Sequence, residues 1–563
     1  MKESMLSELF WDAGLFFAIS ALIIPLLKSA KIPNALGYLI VGIALGPYGI
    51  ITLSEFWPVL GTIGIDDTRH VKMLAELGII FLLFVIGLEL TPRRLWQMRN
   101  RVFGLGGLQV IITASIIFSI AHAWGNDIKV SLLLGLSLAL SSTALGIQWL
   151  HEQKLFAGSM GRSSFSILLF QDLAVIPILL LLTILSSDSE GGIAQFFAFS
   201  MAKMLMSVAI IYVIGRIILK PLFVFANRHC GAEVFMALIL LIIVLSSSAA
   251  SYAGLSMALG AFIAGLLLAD TPYRHEVLAL TMPFKSILIG IFFLSFGMGI
   301  NLSFLIEKPF WLLASVIGLM TIKTVIIFAL CKLWKQSNAV SVETALLLSQ
   351  AGEFGLLIAG GALNTGMMEE SVGQFMLLVI GFTMLLTPLI APLARKLGTM
   401  IENKELEAHT HSAQDLEPKS QHVVIFGYGR TGKMIANDLA KRGFSIIAFD
   451  KDIERVHQSR LDLKPVYLGN ALNKKTYEAA SIDQAACVVI TIDDPAATHK
   501  IIQSIRKSCE SVPIVVRAHT ASDAQTFTNL GNLDAVIEAE LISTNISEKV
   551  LLQCDIKESS CLN

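Results

Sequence analysis

Long apolar stretches separated by short polar loops make up residues 1–396 of the chain. A helix needs about 20 mainly apolar residues to cross a bilayer, and a scan for such stretches finds about thirteen candidate spans. They lie near residues 8–27, 35–50, 71–90, 102–124, 129–150, 163–186, 195–219, 232–252, 254–269, 282–300, 309–334, 342–364 and 371–394. We therefore predict a polytopic α-helical membrane protein over residues 1–396.

The pattern changes after residue 396 to short β-branched runs that alternate with helical segments. Alternating strands and helices predict an α/β domain with a parallel sheet. We expect a linker at 397–420, a Rossmann-like domain at 421–541 and a polar tail at 542–563. Composition agrees with a mainly membrane-embedded chain, because 55% of residues are hydrophobic, 15% are charged and the mean hydropathy is +0.71. Such values exclude an ordinary soluble globular protein.

Basic residues concentrate in alternate loops, and such loops stay on the cytoplasmic side of a membrane. We therefore expect a bacterial inner-membrane protein with its N-terminus outside and its C-terminal domain in the cytoplasm. The first apolar segment follows acids rather than a basic region, so we expect a retained span and not a cleaved signal. The basic loops carry Lys28 and Lys31; Arg93, Arg94, Arg99 and Arg101; Lys154 and Arg162; Lys220 and Arg228; Arg274 and Lys285; Lys332 and Lys335; and Arg395 and Lys396.

A single acid, Asp172, lies in the apolar stretch of residues 166–177. An unpaired carboxylate near the bilayer centre costs roughly 2.5 to 3.5 kcal/mol on the most lenient insertion scale, so an acid at this depth usually serves an ion or proton path. Burial disfavours the ionised carboxylate, which allows a proton to compete with a cation near neutral pH. We predict that Asp172, preceded by Gln171, binds a monovalent cation such as K⁺ and a proton in turn.

Other polar residues at membrane depth fall in two spans that small residues weaken. One span contains Ser141, Ser142 and Thr143, and the other contains Gln350 and Glu353. Transporters break helices at such positions and expose half-helix ends and carbonyl groups to a bound ion. The two segments are spaced as two inverted repeats joined by a linker span would place them. We expect crossed broken helices at the ion site, with Gln350 and Glu353 behind its direct ligands.

A second buried charge, Lys323, lies in another apolar span. A lone ammonium group there is as costly as a lone carboxylate, and pairing with Asp172 would reduce both penalties. We therefore predict an ion pair in which a proton, a monovalent cation and the ammonium group compete for one carboxylate. Because Gln171 rather than a second acid precedes Asp172, we expect electroneutral one-for-one exchange.

Each of these residues also has a structural interpretation. Asp172 can be a structural acid that is hydrogen-bonded to a neighbouring helix, and Ser141–Thr143 can serve as interhelical packing residues. Glu353 can be an acid used in helix packing. Lys323 can extend its ammonium group to an interface if it lies closer to one than the span suggests.

The soluble part begins with a dinucleotide-binding pattern. A strand at 422–426 leads into a turn with Gly427, Gly429 and Gly432, followed by a helix, a second strand and Asp450. Glycines at these positions let backbone N–H groups approach a phosphate at the helix N-terminus, and the acid accepts hydrogen bonds from ribose hydroxyls. We predict nucleotide contacts at Gly427, Gly429, Arg430, Thr431, Gly432, Asp450, Lys451, Asn470 and Asp493.

Other function classes fit the sequence less well. A ligand-gated potassium channel requires a TVGYG-like filter, and the sequence has none. A membrane-tethered NAD(P) oxidoreductase predicts oxidation of NADH with a quinone or thiol acceptor. The soluble part has no second domain with a His, Lys or Cys constellation to hold such an acceptor. We expect a transporter with a sensing domain rather than an enzyme, and no nucleic-acid partner.

The ordered motifs resemble the glutathione-regulated potassium-efflux antiporters of the monovalent cation:proton antiporter-2 family over nearly the whole chain. The matching stretches are residues 86–96, 139–144, 160–163, 170–172, 254–262, 273–275, 283–285 and 427–432. The resemblance implies a homodimer in which K⁺ and H⁺ share Asp172, with crossed broken helices at residues 141–143. Na⁺/H⁺ exchange on the same fold is the alternative function.

The resemblance also implies that the soluble domain is a KTN module (RCK N-terminal, TrkA-N) that binds AMP or NAD(H). Glutathione is a second candidate regulator, with Arg517 and Glu276 as candidate contacts. An ancillary subunit related to quinone oxidoreductases is a candidate partner, in addition to membrane lipid. The family has an acid-rich loop before the proline at 283, whereas this chain keeps only Glu276 there, and Asn470 replaces the family's aspartate.

Overall fold

The computed structural model describes most of the chain. The described residues are 13–30, 32–53, 69–90, 92–156, 158–186, 206, 213, 232–252, 256–269, 271–410, 421–451, 455–456, 459, 462, 464–531 and 533–560. The predicted span at 195–219 lies outside them apart from Met206 and Val213. The chain divides into two compact units, Met1–Gly398 and Thr399–Asn563, and this division adjoins the boundary predicted after residue 396.

The first unit contains helices and no strand among its described residues. Two of the helices include wide π-helical turns, at Ile19–Ile23 and Asn100–Gly106. The helices are Ala13–Ser29, Asn34–Leu45, Arg69–Glu89, Pro92–Arg99, Gly107–Ala123, Ile128–Ala139, Thr143–Glu152, Ser159–Leu185, Ala232–Tyr252, Met257–Ala269, Arg274–Met298, Ser303–Glu307, Pro309–Leu333, Asn338–Leu347, Glu353–Asn364 and Glu370–Thr410.

Seven helices among the described residues are long and apolar enough to cross a membrane. The number rises to eight if the bent pair Ala13–Ser29 and Asn34–Leu45 forms one span. The larger number predicted from the sequence also includes shorter helices, such as Met257–Ala269, and the span outside the described residues. The polytopic helical fold is therefore confirmed, while the full number of spans stays a prediction.

Two spans are interrupted near their centres, at the positions that the sequence predicts. The first interrupted span consists of Ile128–Ala139 and Thr143–Glu152, and its chain is extended at Leu140. The second interrupted span consists of Asn338–Leu347 and Glu353–Asn364, with extended backbone at Gly352. Ser142 starts the second half of the first span, because its hydroxyl accepts a hydrogen bond from the Leu145 N–H as an N-cap.

Two uninterrupted helices complete the surroundings of these breaks. The aspartate helix, Ser159–Leu185, carries Gln171 and Asp172 on its buried side. The lysine helix, Pro309–Leu333, carries Lys323, which is fully buried.

The second unit is built around one parallel sheet in the order β3-β2-β1-β4-β5-β6. This order is the doubly wound dinucleotide-binding topology. The central strand β1 feeds two apolar cores, since Val424 and Phe426 pack on one face while Val423 and Ile425 pack on the other. The strands are Val423–Phe426 (β1), Ile446–Asp450 (β2), Val466–Leu468 (β3), Cys487–Ile490 (β4), Ile514–Ala518 (β5) and Leu533–Ile537 (β6). The predicted Rossmann-like domain is confirmed.

The helices of this unit are Arg430–Lys441, Lys474–Ala479, Pro495–Ser508, Ala521–Thr528 and Glu538–Ser560. The last helix includes most of the segment predicted as a polar tail from residue 542. The segment contains no glycine or proline, which are the two residues of lowest helix propensity. Neither residue therefore ends the helix here. The expected linker also begins as helix, because Glu370–Thr410 extends into it, and residues 411–420 lie outside the described residues.

Candidate functional site

The two interrupted spans meet at their breaks. The Ser141 hydroxyl donates to the Leu348 carbonyl at 2.8 Å, although the residues are 207 positions apart. Gly352 lies directly against the other break, since a Cβ at this position would stand 2.8 Å from the Ser142 nitrogen. Only glycine permits this approach of one backbone to another. The structure therefore brings together the two segments that the sequence predicts to cross.

Asp172 lies at this crossing and is 6% exposed. Its Oδ1 accepts a hydrogen bond of 2.7 Å from the Thr143 hydroxyl. Thr143 is the first residue of the helix Thr143–Glu152, and the N-terminus of a helix carries partial positive charge. The carboxylate thus faces a helix N-terminus that favours negative charge, next to the breaks of the two interrupted spans.

Gln171 holds the first break to the aspartate helix. Its Oε1 accepts from the Ser141 N–H at 2.9 Å, and its Nε2 donates to Gln109 Oε1 at 2.7 Å. Gln109 in turn donates to the Ala139 carbonyl, the last residue before the break. Sequence reasoning misses Gln109, although a buried amide in the apolar helix Gly107–Ala123 is a usable signal. These contacts make Gln171 a positioning residue for the break.

Glu353 and Gln350 face the same crossing from the second interrupted span. The Ala144 N–H donates to Glu353 Oε1 at 3.2 Å, so the carboxylates of Glu353 and Asp172 converge on one helix N-terminus. Glu353 Oε2 and both side-chain polar atoms of Gln350 are buried without a hydrogen-bond partner among the described residues. Buried polar atoms in proteins are nearly always satisfied, which makes the two oxygens available to a water or a cation and the amide nitrogen available to a water.

The predicted pairing of Lys323 with Asp172 is wrong in this structure. The Lys323 ammonium group instead donates to the carbonyls of Leu138, Leu140 and Gln350, at 3.2, 2.9 and 2.7 Å. All three carbonyls belong to the interrupted segments, which have lost helical hydrogen bonds there. The three N–H donors of the ammonium group therefore all bind carbonyl groups at the breaks. These hydrogen bonds connect the first break to the second.

Other charged groups around the crossing come from neighbouring helices. Glu353, Glu89 and Lys285 are close enough to interact electrostatically with Asp172. Lys285 Nζ lies 3.7 Å from Glu89 Oε1. Glu276, proposed from the sequence as a regulatory contact, is exposed in the first turn of Arg274–Met298. The structure therefore does not place Glu276 among the groups at the crossing.

In the second unit, the glycine turn leaves open space at a helix N-terminus. Gly427 has a φ of +95°, which favours glycine. A Cβ at Gly429 would meet nothing closer than Arg455 Nη1 at 3.9 Å. Among the described residues, no side chain caps the helix Arg430–Lys441, so its first N–H groups are available to a phosphate. Gly432 is buried, while Arg430 and Thr431 lie at the surface end of the turn.

Asp450 lies at the end of β2, beside this turn. Its Oδ2 accepts from the Tyr428 N–H at 2.6 Å and lies 3.3 Å from Arg455 Nη1. A ribose hydroxyl bound here would therefore donate to a carboxylate that already accepts a hydrogen bond from the glycine turn. Burial raises the pKa of the Tyr428 hydroxyl, which stays protonated at neutral pH.

The remaining predicted nucleotide residues have less specific surroundings. Lys451 is exposed. Asn470 caps a local turn, because its Oδ1 accepts from the Leu472 N–H at 3.0 Å. Asp493 is 82% exposed and pairs with Arg517 at 2.8 Å. Among the described residues predicted to contact a nucleotide, the glycine turn and Asp450 lie where a phosphate and a ribose would bind.

Arg517, the candidate glutathione contact, is held by two carboxylates. Its guanidinium pairs with Asp493 and, at 2.7 Å, with Glu538. His519 lies within 4 Å of both acids, at 3.8 and 3.6 Å. Sequence reasoning misses Glu538, which starts a helix directly after β6. An anionic ligand at Arg517 would have to displace these acids.

The chain matches two family models. Residues 17–396 match the family described as sodium/hydrogen exchanger, transmembrane. Residues 423–539 match the TrkA-N domain. The sequence-based resemblance to cation:proton antiporters with a C-terminal TrkA-N domain is confirmed.

Two relatives are similar to this protein along nearly the whole chain. K(+) efflux antiporter 2, chloroplastic, of Arabidopsis thaliana is 35% identical over 99% of this chain and 47% of that protein. The glutathione-regulated potassium-efflux system protein KefC of Cronobacter sakazakii is 33% identical over 90% of this chain and 79% of that protein. The chain spans about half the length of the plant relatives that it matches.

A solved structure supports the fold of the first unit. The sodium proton antiporter MjNhaP1 from Methanocaldococcus jannaschii superimposes with a TM-score of 0.55 at 17% identity, over 70% of this chain and 99% of that chain. Identity this low shows a shared fold only. The family match over residues 17–396 covers more than half of the chain, so the chain belongs to the sodium/hydrogen exchanger family.

Proposed function

We propose that this protein is an electroneutral potassium/proton antiporter, which exports K⁺ in exchange for H⁺ across a bacterial inner membrane. The observation that carries the proposal is the buried carboxylate of Asp172 at the contact between two interrupted spans, 2.7 Å from the Thr143 hydroxyl. A charged group at such a place is expensive unless an ion or proton uses it. The potassium-efflux relatives favour K⁺ as the cation.

The mechanism follows from one carboxylate with two alternative occupants. A cation binds the ionised form of Asp172, whose Oδ1 keeps the hydrogen bond from Thr143, and a proton neutralises the same group. Either occupant leaves the site with the same charge, so one K⁺ moves for one H⁺. Lys323 remains bound to backbone carbonyls in both forms and adds no moving charge to the cycle.

Glu353 is proposed as a direct cation ligand rather than a residue behind the ligands. Its Oε2 is buried and unsatisfied among the described residues, and Gln350 Oε1 offers a second oxygen. Replacing the full hydration shell of K⁺ requires several oxygen atoms, and Asp172 alone supplies two. The oxygens of Glu353 and Gln350 would come from the opposite interrupted span.

Glu353→Gln is expected to raise the apparent KM for K⁺ about tenfold, corresponding to about 1.4 kcal/mol, while exchange continues. The amide oxygen keeps the bond from the Ala144 N–H, but the charge at the open oxygen is lost. Proton flux driven by a range of K⁺ concentrations in proteoliposomes measures the change. An unchanged KM would favour the alternative in which Glu353 only packs helices.

Cation selectivity is tested by reconstituting the full chain in liposomes that contain a pH-sensitive dye. An outward K⁺ gradient is expected to acidify the lumen, because H⁺ enters as K⁺ leaves, with no change in membrane potential. The same gradient of Na⁺ is the comparison. If only Na⁺ drives proton movement, the protein is instead a sodium/proton antiporter of the same fold.

We also propose that the soluble domain regulates exchange by binding a nucleotide such as AMP or NAD(H). The support comes from the uncapped N-terminus of Arg430–Lys441, the open space at Gly429 and the acid at Asp450. This set fits a phosphate next to a ribose. Homodimer formation, an ancillary subunit and glutathione control remain proposals that follow from the resemblance to potassium-efflux antiporters.

Gly429→Val is expected to abolish nucleotide binding without destabilising the protein. The backbone at Gly429 has φ −72°, which any residue adopts, and the new side chain would enter the space that a phosphate needs. Thermal unfolding of the full chain, with and without AMP or NAD(H), is the measurement. The variant should unfold at the wild-type temperature without ligand and show no ligand-induced rise. A rise equal to that of wild type would place the nucleotide elsewhere.

A further inference from the structure

A cavity of about 480 Å³ opens where the π-helical turn Asn100–Gly106 meets the start of the aspartate helix. Its volume lies in the range of small-molecule sites. None of the described residues that line it is acidic, whereas three are arginines. The lining residues are Gln97, Met98, Arg99, Asn100, Arg101, Phe156, Gly161, Arg162 and Phe165.

Three guanidinium groups around one cavity concentrate positive charge there, which attracts an anion. Two of them are already oriented. Arg99 donates to the Trp96 carbonyl at 3.0 Å and stacks over the Trp96 ring at 4.8 Å, and Arg162 donates to the Ser159 hydroxyl at 3.1 Å. Arg101 is half-buried on the π-helical turn. Planar guanidinium groups bind phosphate oxygens in pairs, which makes a phosphate the best-matched anion.

The apolar part of the cavity wall fits a ligand that has a hydrophobic portion. Phe156 and Phe165 pack edge to face with ring centres 5.4 Å apart. Trp96, beside the cavity, is 70% exposed, and exposed tryptophans in membrane proteins concentrate at the level of the lipid headgroups. Basic pockets between helices at this level suit the headgroups of anionic lipids.

We propose that this cavity binds a phosphate group, supplied by the headgroup of an anionic phospholipid or by free inorganic phosphate. Such a phosphate would join Arg101 on the π-helical turn to Arg162 in the first turn of the aspartate helix. The three arginines and the volume of the cavity carry the proposal, and binding does not depend on which cations the protein exchanges.

Binding here would also stabilise the segment next to the ion site. Gly106 at the end of the π-helical turn packs on Phe170, since a Cβ there would lie 2.6 Å from the Phe170 Cβ. Phe103 packs edge to face on the same ring at 6.0 Å. Phe170 directly precedes Gln171 and Asp172. A phosphate that holds the turn to the helix is thus expected to favour exchange, and this consequence rests on the proposed antiport.

The test measures thermal unfolding of the purified full chain in detergent, with added phosphatidylglycerol, phosphatidylcholine or inorganic phosphate. Wild type is expected to gain stability with phosphatidylglycerol and not with phosphatidylcholine. The double variant Arg101→Gln and Arg162→Gln should require at least tenfold more of the anionic lipid for the same rise. Lys335→Asn is the matched control, because it removes a loop charge outside the cavity and asparagine tolerates its φ of +57°.

Stabilisation by inorganic phosphate alone, lost in the double variant, would identify a free anion as the source at the same site. If the double variant does not fold, the single variants Arg101→Gln and Arg162→Gln are each expected to weaken the response at least threefold. Equal responses of wild type and the arginine variants would overturn the proposal. Equal effects of the two lipids on wild type, together with no effect of inorganic phosphate, would overturn it as well.

Discussion

Asp172→Asn is expected to reduce cation-driven proton flux in proteoliposomes to the level of protein-free vesicles. Asparagine has the same shape, and its side-chain oxygen can keep the hydrogen bond from the Thr143 hydroxyl. It can neither bind a proton nor balance the charge of a cation, so both half-reactions are lost together. The variant is expected to unfold within a few degrees of wild type, because the contact that positions the side chain is retained.

Asp127→Asn is the matched control for this change. Asp127 is an exposed acid that caps the helix Ile128–Ala139 by accepting from the Lys129 N–H, and asparagine caps helices equally well. Its exchange activity should equal that of wild type. Exchange by the Asp172→Asn protein at the wild-type rate would instead favour the interpretation of Asp172 as a structural acid.

Lys323→Met is expected to destabilise the first unit by several kcal/mol, since each buried acceptor left without a donor costs about 1–3 kcal/mol. Methionine fills a similar volume but leaves the carbonyls of Leu138, Leu140 and Gln350 without their donor. Thermal unfolding in detergent measures the effect, and any surviving folded protein should bind K⁺ weakly because the breaks are no longer held together.

Lys332→Met provides the comparison on the same helix. The Lys332 ammonium group is at an exposed end and donates only to the Gln336 carbonyl among the described contacts, so its loss should change unfolding little. If Lys323→Met and Lys332→Met unfold at the same temperature, Lys323 does not support the crossing.

Much of the ion site is predictable from single residues. Asp172 stands out because acids at membrane depth are rare, and the Ser141–Thr143 segment and Gly352 mark the breaks because they weaken helices. The partners of Lys323 are not predictable in the same way. Backbone carbonyls are present at every position, so nothing in the sequence distinguishes a lysine that binds three of them from one that pairs with Asp172.

The role of Glu353 is not predictable from the sequence for a similar reason. Its position in the second interrupted span is readable from the sequence, yet which oxygen is bonded and which is open depends on the Ala144 N–H of the other span. Contacts between segments more than 200 positions apart leave no local pattern in the sequence. The sequence therefore identifies the residues of the site but not their division into direct ligands and supports.

The soluble domain is predictable in more detail, because local signals agree with its topology. The strand, glycine turn, helix and Asp450 occur in the order that a doubly wound sheet requires. Arg517 is the exception, since Glu538 follows β6 and reaches it only through the pairing of β5 with β6. A ligand site inferred at Arg517 from sequence cannot take that carboxylate into account.

The central claim is that one carboxylate binds either K⁺ or H⁺, and binding of K⁺ at different pH values tests it most directly. Calorimetric titration of the purified protein is expected to give an apparent dissociation constant for K⁺ that rises about tenfold for each unit fall in pH once the site is mainly protonated. A constant affinity across pH 5 to 9, in a protein that still exchanges K⁺ for H⁺, would contradict a shared site at Asp172.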